Sequence, residues 1–289
     1  MKSLLPILSF SSLVFATPVR RDASDTSTDM DDVIAGNADC ASNAVIFGRG
    51  TFDSGNLGVW VGPFIKDGAL KAFNGDVHVQ GVNQADYPAN LEDYVKEGGS
   101  ESCGDACAKT VDQYVANCPE ANVFVSGWSQ GALCAHKCVN RIGPAAGKQL
   151  KGLATFGDEN ALMDSPQSVP AGLSVQAYCN EDNASPDFLC TDTALSGINL
   201  PSSISEWKAT VYDSLGLLKD VATNSQQLKA AAKIPFSILS GFLGVSTYFL
   251  KDVATGNVRR WLVLPPHFVY GNNGMAEQAA QWMASLVAA

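Results

Sequence analysis

The sequence predicts an α/β fold in which a mostly parallel sheet lies between layers of helices. Short segments rich in β-branched and aromatic residues alternate along the chain with longer segments of helical periodicity, an order typical of parallel sheets. The 289 residues are 46% apolar and 17% charged. This composition is sufficient for a packed core and excludes a mostly disordered chain.

Five segments are predicted to be strands, and a sixth has a weaker signal. The five cover residues 43–47, 77–82, 122–125, 153–156 and 173–178, and the sixth covers residues 261–264. Helices are predicted at residues 103–117, 130–141 and 275–287. Parallel neighbours joined by such helices require right-handed crossovers, which place helices on both faces of the sheet.

The first 35 residues precede this pattern. Lys2 and the apolar run over residues 4–15 are typical of a secretory signal peptide, so residues 1–16 are predicted to be removed. Arg20-Arg21 is a dibasic processing site, and residues 17–35 are predicted to be a propeptide or a flexible arm. The folded domain is therefore placed at residues 36–289, and the protein is predicted to be secreted and extracellular.

Net charge and cysteine content agree with an extracellular protein. Cleavage after Arg21 would leave 16 basic and 29 acidic side chains, which argues against nucleic acid and anionic membranes as partners. An even number of eight cysteines behind a signal peptide predicts disulfides. Two cysteine pairs are spaced four residues apart on predicted helices, unlike the Cys-x-x-Cys turns of zinc modules. We therefore expect disulfides and no metal site.

The sharpest motif is GWSQG at residues 127–131, between a predicted strand and a predicted helix. This context is the one that a nucleophile elbow requires, with Ser129 exposed on a tight turn. A serine hydroxyl needs a general base. Of the three histidines, His78 lies within a strand and His136 lies on the helix after the elbow. Only His267 fits the Ser–Asp–His order of α/β-hydrolases.

The acid that orients His267 should follow a strand between Ser129 and His267. Asp187 and Asp182 both lie in the loop between Cys179 and Cys190, where a disulfide would fix the position of a carboxylate. Spacing alone does not choose between them. The other acidic residues in this part of the chain are Asp158, Glu159, Asp164, Glu181 and Asp192.

Taken together, several segments resemble the fungal cutinase family, which also includes acetylxylan esterases. They are RGTFDSGNLG at 49–58, DYPA at 86–89, GWSQG at 127–131, YCN at 178–180, DFLC at 187–190 and PHFVYG at 266–271. The resemblance implies a cutinase-like three-layer α/β-hydrolase sandwich. It selects Asp187 as the acid. It also implies an oxyanion hole formed by Thr51 and the backbone N–H of Gln130.

The resemblance implies two disulfides, Cys40–Cys118 and Cys179–Cys190. For the remaining four cysteines, parallel packing of their helices suggests the pairs Cys103–Cys134 and Cys107–Cys138 as a hypothesis. Asn183 begins a glycosylation sequon that is followed by Pro186.

The chain departs from the family pattern at residues 191–258, where a helical insertion is predicted before His267. Residues 205–233 look helical, with Ser205 as the cap, and residues 234–250 are strongly apolar. Length alone permits a membrane span, but one crossing would place Asp187 and His267 on opposite sides of the membrane. The insertion is predicted to be either a buried helix pair or an apolar lid.

These observations predict a secreted serine esterase that forms an acyl-enzyme and needs no cofactor. The apolar insertion favours a polymeric or lipid-like aliphatic ester as substrate, with interfacial contact through the insertion. We expect a monomer. The first alternative is an acetylxylan esterase, and the second is an inactive secreted interaction protein.

Overall fold

The computed structural model describes residues 24–182, 185–191, 200–262 and 264–288. The predicted signal peptide, the sequon at Asn183 and the candidate acid Asp192 lie outside the described residues. Five parallel strands form one sheet in the order β2-β1-β3-β4-β5. They are β1 (Asn43–Gly48), β2 (His78–Gly81), β3 (Asn122–Trp128), β4 (Leu150–Phe156) and β5 (Ser174–Tyr178).

Helices cover both faces of this sheet, as predicted. In the first part of the chain they are α1 (Asp29–Ile34), α2 (Gly62–Ala72), α3 (Leu91–Glu97), α4 (Glu101–Asn117), α5 (Gln130–Val139) and α6 (Pro144–Gly147). In the last part they are α7 (Ile204–Gly216), α8 (Leu218–Val221), α9 (Ser225–Phe242), α10 (Ser246–Thr255) and α11 (Met275–Ser285).

The strands alternate their side chains between two apolar layers. On β1, Val45 and Phe47 join the core on the side of α2 and α11, whereas Ala44 and Ile46 join the core on the side of α1 and α4. This period of two is the pattern that a sheet buried on both faces requires. The result is a three-layer α/β sandwich, which confirms the predicted fold class.

The four predicted disulfide pairs are the pairs that the structure contains. Cys40 bonds Cys118, and Cys179 bonds Cys190. The other two bonds, Cys103–Cys134 and Cys107–Cys138, join α4 to α5 at two successive helical turns. The described residues include no free cysteine. The helix that follows Ser129 is therefore fixed covalently to its neighbour.

The end of the expected flexible arm is packed, which corrects that part of the prediction. Met30 and Val33 of α1 are buried against the sheet. The Ser27 N–H donates to Asn56 Oδ1 at 2.8 Å, and the Met30 N–H donates to Gln80 Oε1 at 3.1 Å. Polar groups with specific partners fix this segment, so its polar sequence does not make it flexible.

Two further predictions were wrong. The expected strand at 261–264 is not present in its described residues, because Trp261 ends a 3₁₀ turn, Asn257–Trp261, and no strand pairs with this segment. The cap of the first insertion helix is Ser203 instead of Ser205, since α7 begins at Ile204 and the Glu206 N–H donates to Ser203 Oγ at 3.3 Å.

The described part of the insertion forms four helices, α7 to α10, and α9 packs against α3. Its helices α9 and α10 meet at 87°, so the apolar run at 234–250 is bent between them. Among the described helices none is long and apolar enough to cross a membrane alone, whereas this bent pair together satisfies the length and composition of a span.

Candidate active site

Ser129 lies at the junction of β3 and α5 in the geometry of a nucleophile elbow. Its φ of 58° and ψ of −129° lie in a region that non-glycine residues rarely adopt. A Cβ at Gly127 would lie 2.0 Å from the carbonyl oxygen of Gly131, and a Cβ at Gly131 would lie 2.0 Å from that of Gly48. Only glycine at both positions therefore allows α5 to approach the sheet this closely.

The candidate base and acid are in direct contact. Nδ1 of His267 lies 2.7 Å from Oδ2 of Asp187, and both side chains are almost completely buried. The other ring nitrogen, Nε2, is buried and has no hydrogen-bond partner among the described residues. An imidazole whose Nδ1–H is held by a carboxylate presents an unprotonated Nε2, which is the atom that takes a proton from a nucleophile.

Several contacts hold His267 in this position. The indole N–H of Trp128 donates to the His267 carbonyl oxygen at 2.8 Å, and the two rings are 5.4 Å apart between centroids. A Cβ at Gly157, whose φ is +52°, would lie 2.6 Å from Cε1 of His267. The loop after β4 must therefore carry glycine here for the imidazole to reach the site.

Asp187 receives three hydrogen bonds in the site. Besides His267, Tyr270 donates from its hydroxyl to Oδ2, and the Leu189 N–H donates to Oδ1 at 3.1 Å. Burial alone would raise the pKa of Asp187, but the His267 charge and these donors lower it below its usual value. Burial lowers the pKa of His267, yet the charge of Asp187 and its hydrogen bond raise it overall.

The rival acids have other surroundings. Asp182 is exposed, and Asp158 contacts Nε2 of His136 at 2.7 Å. Glu159 is buried beside the site, where burial raises its pKa to about 8. Asp187 is therefore the one described candidate in contact with His267.

Thr51 and Gln130 are brought together beside Ser129. The Thr51 hydroxyl donates to Gln130 Oε1 at 3.1 Å, and Gln130 Nε2 donates to the Asn90 carbonyl at 3.1 Å. Gln130 is the first residue of α5, where backbone N–H groups have no partner within the helix. These groups are suited to hold negative charge on a substrate oxygen.

Ser129 and His267 line the same pocket, and the insertion supplies one wall of it. The residues that line the pocket are Thr51, Phe52, Leu91, Tyr94, Trp128, Ser129, Glu159, Trp207, Ile234, Ile238, Arg260, Trp261, His267 and Phe268. Most of these side chains are apolar. The pocket is therefore suited to an apolar group next to a polar reacting centre.

A buried ion pair and an aromatic cluster hold this wall in place. Arg260 makes two hydrogen bonds to Asp252, at 2.7 and 2.9 Å, and the Trp261 indole N–H donates to the same carboxylate at 2.6 Å. Trp207 stacks on Phe242 with ring centroids 4.3 Å apart. No motif or periodicity in the sequence indicates a role for Asp252, Arg260 or Tyr270. Tyr270 belongs to a segment that resembles the cutinase family, and this resemblance was the only indication in the sequence that the residue has a functional role.

Comparisons with known proteins agree with this geometry. The family model named Cutinase matches residues 39–200. A cutinase of Coprinopsis cinerea is 34% identical over 143 residues, covering 49% of this chain and 68% of the relative. A cutinase of Pyrenopeziza brassicae is 36% identical over 131 residues, covering 45% of this chain and 62% of the relative.

Among solved structures, Trichoderma reesei cutinase in complex with a C11Y4 phosphonate inhibitor is similar in fold. The two share 20% sequence identity and a TM-score of 0.51, over 92% of this chain and 82% of the other. The family match ends before α7, so the insertion and His267 lie beyond it. Since the match still covers more than half of the 289 residues, the chain belongs to the cutinase family of carboxylic ester hydrolases.

Proposed function

We propose that this protein is a secreted serine esterase that hydrolyses aliphatic carboxylic esters through Ser129, His267 and Asp187. One observation carries the proposal. Ser129 lies on a strained elbow in the same pocket as His267, whose Nδ1 is held by Asp187 and whose Nε2 has no partner in the described part of the chain. This arrangement has the features of a nucleophile, its base and the orienting acid.

The steps of the reaction follow from these positions. Ser129 Oγ attacks the ester carbonyl while Nε2 of His267 takes the hydroxyl proton. The N–H of Gln130 and the hydroxyl of Thr51 stabilise the oxyanion, for which Thr51 turns away from Gln130 Oε1. His267 then protonates the leaving alcohol, and water activated by the same base releases the acid from the acyl-enzyme. Asp187 keeps its negative charge and stabilises the imidazolium throughout.

The walls of the pocket favour an aliphatic acyl chain over the acetyl groups of a polysaccharide. Ile234, Ile238 and Phe268 line it together with Trp128, and the side chains of Trp128 and Trp60 are both buried. A site for a sugar polymer would instead need a polar groove with exposed aromatic rings. An acetylxylan esterase is therefore the weaker alternative.

The outer surface of the insertion supports interfacial contact with a lipid-like substrate. Phe236 is 77% exposed, Leu243 is 81% exposed and Leu250 is 50% exposed. Several large exposed apolar side chains within one short segment are typical of a surface that meets another apolar phase. We propose that the protein acts there as a monomer.

The experiment that tests the function measures initial rates on p-nitrophenyl esters from acetate to palmitate. Ser129→Ala is compared with Ser126→Ala, because Ser126 is a buried serine of β3 that does not line the pocket. We expect rates that peak at butyrate or longer chains, loss of activity in Ser129→Ala and retained activity in Ser126→Ala.

Other outcomes separate the alternatives. Activity confined to the acetate ester would indicate an acetylxylan esterase. Absence of both hydrolysis and fluorophosphonate labelling of Ser129 would favour an inactive interaction protein.

A further inference from the structure

Glu159 is a second carboxyl group in the pocket, and the proposed reaction does not use it. It follows β4, is 1% exposed and lines the same pocket as Ser129 and His267. The other charged residue of the pocket besides His267, Arg260, is already paired with Asp252. Glu159 is therefore the one carboxyl among the described residues that line the pocket.

The hydrogen bonds of Tyr94 indicate the protonation state of Glu159. The Tyr94 hydroxyl lies 2.9 Å from the Arg260 carbonyl oxygen and 3.0 Å from Oε2 of Glu159. A carbonyl oxygen can only accept, so the single phenolic proton is used there. The contact with Glu159 is then a hydrogen bond only if Oε2 carries a proton and donates it to the phenol oxygen. This arrangement pairs the Tyr94 hydroxyl, the Arg260 carbonyl oxygen and Oε2 of Glu159, and it leaves Glu159 neutral.

The electrostatic surroundings agree with that assignment. Burial raises the pKa of Glu159 to about 8, although the charge of a protonated His267 would oppose the rise. At a pH below this pKa, the side chain is a neutral carboxylic acid. Its proton faces Tyr94, and its other oxygen, Oε1, is then a carbonyl-type acceptor.

Oε1 of Glu159 is buried and has no hydrogen-bond partner among the described residues. A buried acceptor without a partner is costly, and in a mostly apolar pocket a ligand with a donor group can remove that cost. We propose that Glu159 is a specificity residue whose Oε1 accepts a hydrogen bond from a hydroxyl group of the ester substrate. This inference rests on the proposed esterase function and narrows its substrate class to hydroxylated esters.

The hydroxyl could belong to either half of the ester, and two substrate pairs distinguish these sources. The first pair is methyl decanoate and methyl esters of hydroxydecanoic acids, which differ only in the acyl chain. The second pair is the propyl ester and the glycerol monoester of decanoic acid, which differ only in the alcohol. The measured quantity is the ratio of kcat/KM between the hydroxylated and the plain member of each pair.

The variants separate a neutral acceptor from a charged one. Glu159→Gln keeps a carbonyl oxygen and an N–H that can donate to Tyr94, so it reproduces the neutral acid. Glu159→Leu keeps a similar volume but has no polar atom. We expect wild type and Glu159→Gln to prefer the hydroxylated member of one pair by about five- to tenfold, the size of one neutral hydrogen bond. In Glu159→Leu the ratio should fall to about one.

Three results would overturn the inference. The first is a wild-type ratio near one in both substrate pairs. The second is a wild-type preference that Glu159→Leu leaves unchanged. The third is a preference that Glu159→Gln loses as well, because that result would indicate a charged carboxylate in wild type. If Ser129→Ala hydrolyses these esters as fast as wild type, the proposed function itself fails. Infrared difference spectra between wild type and Glu159→Gln test the neutral acid independently of activity, because the variant should lose one component of the protonated carboxyl band at pH 6.

Discussion

Oδ2 of Asp187 lies 2.7 Å from Nδ1 of His267, although 80 residues separate the two in the chain. The described part of the insertion, residues 200–258, lies between them in the chain, and its helices α7, α8, α9 and α10 pack largely on one another. The Cys179–Cys190 disulfide fixes the loop that carries Asp187, and the short turn Pro265–Phe268 presents His267. The insertion therefore changes the wall of the pocket without separating base from acid.

Tyr270 should act as a positioning residue for this pair. Its hydroxyl donates to the same oxygen of Asp187 that contacts His267. Hydrogen bonds to a charged group contribute about 1.5–3 kcal/mol, so Tyr270→Phe should lower kcat/KM at least tenfold. Asp187→Asn should lower kcat by about 10⁴-fold, because the imidazole would lose its orientation.

A matched control for Tyr270→Phe is Tyr114→Phe. The Tyr114 hydroxyl also has two partners, His78 Nδ1 and the Ala41 carbonyl oxygen, but it does not line the pocket. Steady-state kinetics on p-nitrophenyl butyrate measure both variants. Equal losses in the two would show that Tyr270 acts on stability alone.

The activity should rise with pH through the titration of His267. The base must be neutral to accept a proton, so kcat/KM is low below the His267 pKa and reaches a plateau above it. Burial lowers this pKa, but the charge and hydrogen bond of Asp187 raise it above the ordinary value of about 6.5. The midpoint of the acid limb should therefore lie above about 6.5 in wild type.

Asp187→Asn should move the midpoint of the acid limb to lower pH. With the negative charge removed, burial remains as the largest influence and favours the neutral imidazole. Measuring kcat/KM from pH 4 to pH 9 for wild type and Asp187→Asn tests the direction of this shift. An acid limb that stays in place in Asp187→Asn would mean that another group controls it.

The parts of the structure that local sequence patterns determine could be predicted. The five strands were found because β-branched residues in short runs reflect burial in a sheet. The Ser129 elbow was found because its glycines are required by close contact with Gly48 and with each other. The segment at Trp261 was mistaken for a strand because it is apolar, although its burial comes from the aromatic cluster with Trp207 and Phe249.

Hydrogen-bond networks that join segments distant in the sequence could not be predicted from local sequence patterns. Tyr94 contacts Glu159 65 residues away and Arg260 166 residues away. Neither contact follows from periodicity or from a motif. The proposed substrate hydroxyl site depends on this network, so it could be inferred only from the folded chain.

Together, the two disulfides between α4 and α5 should stabilise the fold by less than twice the amount that either would contribute if it were the only one present. Each of Cys103–Cys134 and Cys107–Cys138 spans 31 residues, and closing such a loop alone is worth about 4 kcal/mol in the unfolded chain. Once one bond is present, the other closes a ring of only a few residues. Replacing one pair by alanine should therefore cost about 2.5–3 kcal/mol, less than the value for the longer loop, and replacing both should cost more than twice the loss from one.

Guanidinium denaturation of the two double variants and the quadruple variant measures these free energies of unfolding. The Cys40–Cys118 bond, which spans 78 residues and is not duplicated, is the comparison, and its removal should cost about 4–5 kcal/mol. If the loss in the quadruple variant equals the sum of the losses in the two double variants, the bonds act independently and the expectation is wrong.

The exposed apolar side chains of the insertion should matter only at an interface. Phe236 and Leu243 are 77% and 81% exposed, and burying such a side chain in an apolar phase is worth about 1.5–3 kcal/mol. Phe236→Glu combined with Leu243→Glu should therefore lower the rate on an emulsified long-chain ester at least tenfold relative to the rate on a dissolved short-chain ester. Leu70→Glu is the control, because Leu70 is an exposed leucine of α2, outside the insertion. The same ratio in the double variant and in Leu70→Glu would exclude the insertion as the surface that binds the interface. A lower ratio in the double variant alone would place the contact on the outer side of α9, whose inner residues Ile234 and Ile238 line the pocket of Ser129.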